Sequence, residues 1–552
     1  MVIEKDRAGT GGSLVESENV TAHHRQVLGG CSLRLQSQFA IRIILCDQRK
    51  RAILQVDLLI IGGGINGVGI ARDAAGRGIS VLLCEKDDLA AHTSSASTKL
   101  IHGGLRYLEH YAFRLVRKAL LEREVLLRLA PHIARPLRFV VPHDASLRPM
   151  WMIRAGLFMY DHLARRDRLK ASEALDLRVH ETGVPLKRNY RAGFAYSDLW
   201  VDDARLVVLN VIDAAERGAT IMTRTRCESL ERNAESWQAR LLGNDGTVTE
   251  VSAKVVVNAA GPWVSSFLER STPVRSKRSV RLIKGSHIVV RKLYDHAYAY
   301  LFQNPDGRII FTIPFEDDFT LIGTTDIEYL GDPQKIEIDQ AEVEYLCAMV
   351  NRFLAGSITP EDVVWSYAGV RPLLEDESSD ASAVTRDYTL DLDDSQAPIL
   401  SVFGGKLTTF RKLGEEALTI IAPLLGKSPR PWTATAPLPG GDLPDGDVAR
   451  FGGEFAKLFP WVPEAIGQRW CHSYGTRVSQ LIGSATALAE LGEETLPGLY
   501  AREIDYLIDH EWARTAEDIL WRRTKLGLYL PSEAQGMLQG WLERERPIMV
   551  SR

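Results

Sequence analysis

One short run constrains this chain more than any other. Val56 to Ile61 is apolar apart from Asp57 and leads directly into Gly62-Gly63-Gly64-Ile65-Asn66-Gly67. A helical stretch, Ile65 to Arg77, follows and stops at Gly78; Ile79 to Cys84 is a second apolar run that ends at Glu85. Strand, glycine-rich turn, helix and strand together open a parallel nucleotide-binding sheet. In Gly62-x-Gly64-x-x-Gly67 the first glycine permits a tight turn, the second lets backbone approach a pyrophosphate, and the third lets helix and strand pack closely. Asn66 lies inside this turn, where it can face a bound dinucleotide. The helix start adds free N–H groups and a positive dipole end. Glu85 can accept hydrogen bonds from an adenosine ribose diol and repels a 2′-phosphate, which favours FAD or NAD over NADP.

At 552 residues the chain exceeds what one core usually supports, so two or three domains are expected. A net charge of -4 argues against nucleic acid as a partner, and any phosphate-binding cations must be local. Cys31, Cys46, Cys84, Cys227, Cys347 and Cys471 are scattered, with neither CxxC pairs nor metal-ligand spacing, so no metal site is expected and a reducing cytosol fits. No apolar run approaches the roughly 20 residues of a membrane-spanning helix. Residues 1–54 begin polar and rich in Gly and Ser, and read as a disordered or non-native extension.

Further helices are expected over Leu115 to Leu129 and Asp203 to Arg217. Ala219 to Arg226 and Val255 to Ala260 read as strands around a hairpin that turns at Gly243-Asn244-Asp245-Gly246. From Arg281 the texture becomes β-rich: Ile283 to Val290, Ala297 to Gln303, Arg308 to Pro314 and Phe319 to Gly323 predict an antiparallel sheet in a second domain. Asp339 to Leu354 returns to helix. Ile399 to Phe403 is one more strand, stopped by Gly404-Gly405, with a helix from about Thr409, and after Pro431 the chain is mostly helical.

Several separated segments then narrow the class. They are Thr93-Ser94-Ser95-Ala96-Ser97-Thr98-Lys99-Leu100-Ile101-His102-Gly103-Gly104-Leu105-Arg106-Tyr107-Leu108, Tyr196-Ser197-Asp198 with Asp202-Asp203-Ala204-Arg205, and Asn258-Ala259-Ala260-Gly261-Pro262-Trp263. Lys284-Gly285-Ser286-His287, Ile322-Gly323-Thr324-Thr325-Asp326, Gly369-Val370-Arg371-Pro372, Phe403-Gly404-Gly405-Lys406-Leu407-Thr408-Thr409 and Trp521-Arg522-Arg523-Thr524-Lys525-Leu526-Gly527 continue the series. In this order they resemble the FAD-dependent glycerol-3-phosphate dehydrogenases of the bacterial aerobic, membrane-associated type.

The resemblance implies an α/β fold with a Rossmann-like FAD-binding domain (D-amino-acid-oxidase/glutathione-reductase-like), an antiparallel-sheet substrate domain and a helical C-terminal domain. The expected oxidoreductase part covers residues 55–430. Its discontinuous FAD domain takes about 55–114, 198–270 and 360–430, its substrate domain about 115–197 and 271–359, and the helical domain 431–552. The implied reaction takes a hydride from C2 of sn-glycerol 3-phosphate to FAD, yields dihydroxyacetone phosphate and passes the electrons to membrane quinone. An oxidase using oxygen, or a non-catalytic flavin-binding membrane module, are the rival readings. The implied setting is the cytoplasm, peripheral to the inner membrane, with a homodimer as the assembled state.

A phosphate dianion needs fixed cations, and arginine's planar fork suits its oxygens. The candidates are Arg106, Arg371 and Lys406, the positions at which the resemblance implies cations, with Tyr107 as a neutral donor; Lys406 can instead serve the flavin. His102 is the favoured base, since imidazole titrates near working pH, and His287 is its rival. For FAD, held without a covalent link, the candidates are Gly62, Gly64, Asn66, Gly67, Glu85, Ser94 and Ser95, with Gly261 at a strand end. Gly404, Gly405, Lys406, Leu407 and Thr408 are expected to offer backbone N–H groups to the flavin ring and ribityl chain. Pro149-Met150-Trp151-Met152-Ile153-Arg154 to Tyr160, then Arg165-Arg166-Asp167-Arg168-Leu169-Lys170, reads as a buried helix with a solvated basic end; the alternative is a helix lying on an anionic lipid surface.

Overall fold

The computed structural model describes residues 53–108, 111–144, 149–276, 278–304, 306–374 and 387–547. The extension expected over 1–54 lies, up to residue 52, outside them.

The apolar strands read at the start of the patterned chain form the centre of the first sheet. Its order is Thr389–Asp393, Ile399–Phe403, Val248–Asn258, Leu54–Ile61, Val81–Cys84, Thr220–Met222. Leu54–Ile61 lies parallel to both Val248–Asn258 and Val81–Cys84. Its side chains alternate between two cores, as a pleated strand requires. Leu58 and Ile60 pack with the helices Ile65–Gly76, Asp203–Glu216 and Phe410–Leu424 on one face. Leu59 and Ile61 pack with Trp237, Leu230, Val264 and Leu268 on the other. Burial on both faces is why the strand is apolar without alternation.

The hairpin expected between Ala219 and Ala260 is more elaborate. Thr220–Met222 ends before Arg224, whose φ of +51° breaks the run. Thr225–Arg232, Trp237–Gly243 and Val248–Asn258 then form an antiparallel meander, and Gly243 to Gly246 make its second turn.

The second sheet runs Ile327–Glu328, Val280–Arg291, Phe319–Gly323, Ile309–Phe315, Ala299–Gln303, Ala134–Pro142, Ala192–Val201, Leu100–Ile101. It is antiparallel except where Ala299–Gln303 meets Ala134–Pro142. Val363–Leu374 pairs along most of Val280–Arg291, so this segment belongs to the substrate sheet and not with the FAD segment expected from 360 onward. The cause is long-range register, which local pattern does not carry.

The helix Met150–His162 corrects a second expectation. Only Leu157, Tyr160 and Asp161 are buried, while Met150, Trp151, Met152, Phe158 and Met159 face outward. Among the described residues no helix is long and apolar enough to cross a membrane.

The C-terminal helices Val448–Leu458, Glu464–Tyr474, Ala501–Glu511 and Ala534–Glu545 close over a core that includes Trp470, Tyr474, Leu507 and Leu542. Buried ion pairs tie this domain to the first sheet. Arg523 grips both Asp88 oxygens (2.8 and 2.9 Å), Arg522 adds a third bond at 2.7 Å, and Arg205 pairs with Glu511. Asp88 stands in the loop that leaves Val81–Cys84 and carries Glu85 and Ser94.

Candidate active site

Four parallel strands deliver their carboxyl ends to one place: Ile61 leads to Gly62, Cys84 to Glu85, Asn258 to Ala259 and Phe403 to Gly404. Ligands of open α/β sheets bind at such ends. Here the loops line a cavity of about 640 Å³.

The dinucleotide end is shaped by close backbone packing. Gly62 has φ +112°, and a Cβ on it would stand 2.5 Å from the Ala259 carbonyl oxygen. A Cβ on Gly67 would stand 2.0 Å from the Gly62 carbonyl oxygen, so helix and strand meet where only glycine fits. Glu85 clamps this loop, accepting from Gly63 N–H at 2.7 Å and from Asp87 N–H at 2.9 Å. Burial pushes its carboxyl up, opposed by those two amides. Ser94 Oγ accepts from Ile65 N–H at 3.0 Å, and Asn66 Nδ2 donates to the Gly404 carbonyl at 3.1 Å. Asn66 thus joins the first glycine loop to Gly404 and Gly405, which have φ of +75° and +101°. Glu85, Asp87 and His92 bring ligand-type atoms within 4.8 Å of one another. With Glu85 engaged by two amides and Lys86 paired to Asp87, that group belongs to the loop's own bonding.

The substrate end is made from side chains. Lys406 Nζ lies 4.0 Å from the Tyr107 ring centroid, a cation–π contact. His102 N–H donates to Thr408 Oγ1 at 3.3 Å, joining the two loops. Behind His102, Gly103 N–H donates to Tyr160 OH (2.9 Å) and Asp198 Oδ1 (3.3 Å), and Arg123 pairs with Asp198 at 2.6 Å. Burial pushes the Asp198 carboxyl up, while Arg123 and Tyr160 pull it down. From the second sheet, Arg371 forms an ion pair with Asp326.

The candidates therefore separate. Gly62, Gly64, Asn66, Glu85, Ser94, Gly261, Gly404, Gly405, Lys406, Leu407 and Thr408 line the cavity, as do His102, Tyr107 and Arg371. Gly67 sits behind the glycine loop, and Ser95 turns its hydroxyl to the His92 carbonyl at 3.4 Å. His287 is buried off the cavity wall: Nε2 meets Thr98 Oγ1 at 2.9 Å, and the ring stacks on Tyr367 at 4.8 Å. Burial, then Arg371 and Lys99, holds its pKa well below the usual histidine value, so the ring is neutral. Arg106 has its backbone in the turn Leu105–Leu108, and its side chain lies outside the described residues. Thr324, Asp326, Tyr196 and Asp198 also line the cavity without having been singled out as site residues, although each lies in a segment that carried the resemblance.

Fold and cavity define a class: a two-sheet oxidoreductase with a built-in dinucleotide site. A flavin dinucleotide fits the residues present. The glycine loops bring bare backbone to the cavity wall, and Asn66 Oδ1 is a buried acceptor with no partner among the described residues. A family model described as "FAD dependent oxidoreductase" matches residues 57–411, and one described as "C-terminal domain of alpha-glycerophosphate oxidase" matches 431–544. A glycerol-3-phosphate dehydrogenase of Pseudomonas aeruginosa is 55% identical over 494 residues, covering 89% of this chain and 96% of that one. A D-erythritol 1-phosphate dehydrogenase of Brucella abortus is 48% identical over 489 residues, covering 88% and 97%. The crystal structure of the glycerol-3-phosphate dehydrogenase from Bacillus halodurans, complexed with FAD, superposes with a TM-score of 0.69 at 28% identity over 90% of this chain and 95% of that one. The chain belongs to the FAD-dependent glycerol-3-phosphate dehydrogenase family, and FAD is its cofactor.

Proposed function

We propose that this chain oxidises the C2 alcohol of sn-glycerol 3-phosphate to dihydroxyacetone phosphate and passes the electrons to quinone at a membrane surface. One observation carries the reading: Arg371, Lys406, Tyr107 and His102 line the same cavity as the glycine loops of the dinucleotide site. When bound, FAD supplies the acceptor for the hydride that leaves C2.

The protein's own groups do the rest. Arg371 and Lys406 hold the phosphate dianion, with Tyr107 as a neutral donor, and this grip fixes C2 within the cavity. His102 takes the proton of the C2 hydroxyl as the ketone forms. His287 is less suited, because it is buried off the wall and bonded to Thr98. The outward Met150, Trp151, Met152, Phe158 and Met159, beside exposed Arg154, Arg165, Arg168 and Lys170, support a helix resting on anionic lipid.

The relative named for D-erythritol 1-phosphate supports a second substrate, since one phosphate grip serves a longer alditol phosphate. Comparing kcat/KM for the two esters decides, with glycerol 3-phosphate expected to be preferred. Acceptor and surface are tested by reducing the holoenzyme anaerobically with glycerol 3-phosphate and mixing it with quinone in anionic vesicles or with air. Fast reoxidation by vesicles, slowed by Trp151→Asp, is expected. Faster reoxidation by air, with peroxide formed, would mark an oxidase.

A further inference from the structure

We infer that Thr324 and Asp326 complete the anion seat around Arg371: the Asp326 carboxylate is an internal counter-ion that the substrate's phosphate must displace, and the Thr324 hydroxyl donates to a phosphate oxygen. This rests on the reading of Arg371 as a phosphate-binding cation.

Three observations converge. The Asp326–Arg371 pair lines the cavity with side chains 30% and 33% exposed, so an incoming anion can reach it. Thr324 also lines the cavity, yet its Oγ1 is buried and has no hydrogen-bond partner among the described residues. A buried hydroxyl left unsatisfied is costly, and a ligand oxygen relieves that cost. Finally, Gly285 lets Thr324 and Arg371 pack close together. A Cβ there would fall 2.6 Å from Thr324 Oγ1 and 3.0 Å from Arg371 Nη2. Hydroxyl and guanidinium therefore lie against the same glycine, and a side chain at 285 would push them apart.

The charge arithmetic gives the pair a purpose. A monoanion that replaces Asp326 exchanges one carboxylate for another and gains little. A phosphate dianion brings a second charge and further oxygens for Thr324 and Lys406. Asp326 thus sets a threshold that weak anions do not clear, and by retaking Arg371 it helps the phosphorylated product leave. Its backbone supports this assignment: Asp326 sits at φ +57°, a region that Asp and Asn tolerate better than other side-chain-bearing residues, so Asp326→Asn removes the charge and keeps the loop.

The test is calorimetric titration of the holoenzyme with inorganic phosphate and, separately, glycerate. Asp326→Asn is expected to tighten both, by about fivefold, the scale of a partly exposed ion pair. Thr324→Val is expected to weaken phosphate about tenfold, the scale of one hydrogen bond to a charged group, with Thr324→Ser restoring it. Asp326→Asn should also lower KM for glycerol 3-phosphate and strengthen inhibition by dihydroxyacetone phosphate. Unchanged or weaker phosphate binding in Asp326→Asn, or unchanged binding in Thr324→Val, overturns the inference. If Arg371→Ala loses phosphate while Asp326→Asn changes nothing, only this inference fails. If Arg371→Ala keeps its phosphate binding, the reading of the site fails with it.

Discussion

The two ends of the cavity are built by opposite means. At the dinucleotide end, backbone approaches backbone: Gly62 against Ala259, Gly67 against Gly62, and Glu85 clamping the turn through two amides. At the substrate end, side chains from separate elements meet: Lys406 over Tyr107, Arg371 on Asp326, and His102 tied to Thr408. The first end is specified by what is absent, a Cβ, and fails as a unit. The second is specified by charge, and its parts can be removed one at a time.

The largest effect is expected from Gly67→Val. Its Cβ would lie 2.0 Å from the Gly62 carbonyl oxygen in the turn that enters the helix, and neither backbone can yield. The variant should purify without FAD, as its visible absorbance would show, or should not fold at all. Ser95→Ala, one residue beyond Ser94 but turned away from the cavity, should keep its FAD. Flavin retained by Gly67→Val would break the contrast between the two ends.

Next in size is His102→Ala, expected to lower kcat about 10²- to 10⁴-fold with FAD retained, the usual scale for losing a general base. His287→Ala should cost less turnover, and the reverse order would transfer the proton to His287. The contrast would still hold, but the site would extend one layer deeper into the second sheet.

The smallest expected effect separates packing from chemistry. Burial, with Arg205 and His472 nearby, pushes the His132 pKa down to about 3, and His287 is likewise held well below its ordinary value. The unfolded chain takes up those protons below about pH 6.5 and the folded chain does not. Stability from these rings is therefore complete above that pH and falls as the medium turns more acid. Thermal melts at pH 7 and pH 5 should show the lower Tm at pH 5. His132→Gln and His287→Gln should each flatten that difference.

Sequence made the first end readable because its signals are local. A strand, three glycines, a helix and Glu85 fall within a short run, and each has a steric or charge reason tied to its neighbours. Phe319–Gly323 and Ile399–Phe403 were readable with their observed bounds for the same reason, as short apolar runs stopped by glycine. Less of the second end was readable. Val363–Leu374 joins the substrate sheet through pairing with Val280–Arg291, a partner distant in sequence. Thr324 and Asp326 become site residues only once their orientation is known, and a positive φ at 326 leaves no mark in composition. The apolar residues from Pro149 to Tyr160 favour a buried helix over one on a lipid surface, but apolarity does not say which medium covers them.

The most direct test of a phosphate grip beside the flavin is rapid anaerobic mixing of the holoenzyme with glycerol 3-phosphate or with glycerol, following flavin absorbance in wild type and in Arg371→Ala. Fast bleaching is expected from the phosphate ester alone, with Arg371→Ala needing roughly 10- to 100-fold more ester for the same rate, the scale of a lost charged hydrogen bond. Equal bleaching by glycerol, or an unaltered ester requirement in Arg371→Ala, would contradict such a grip.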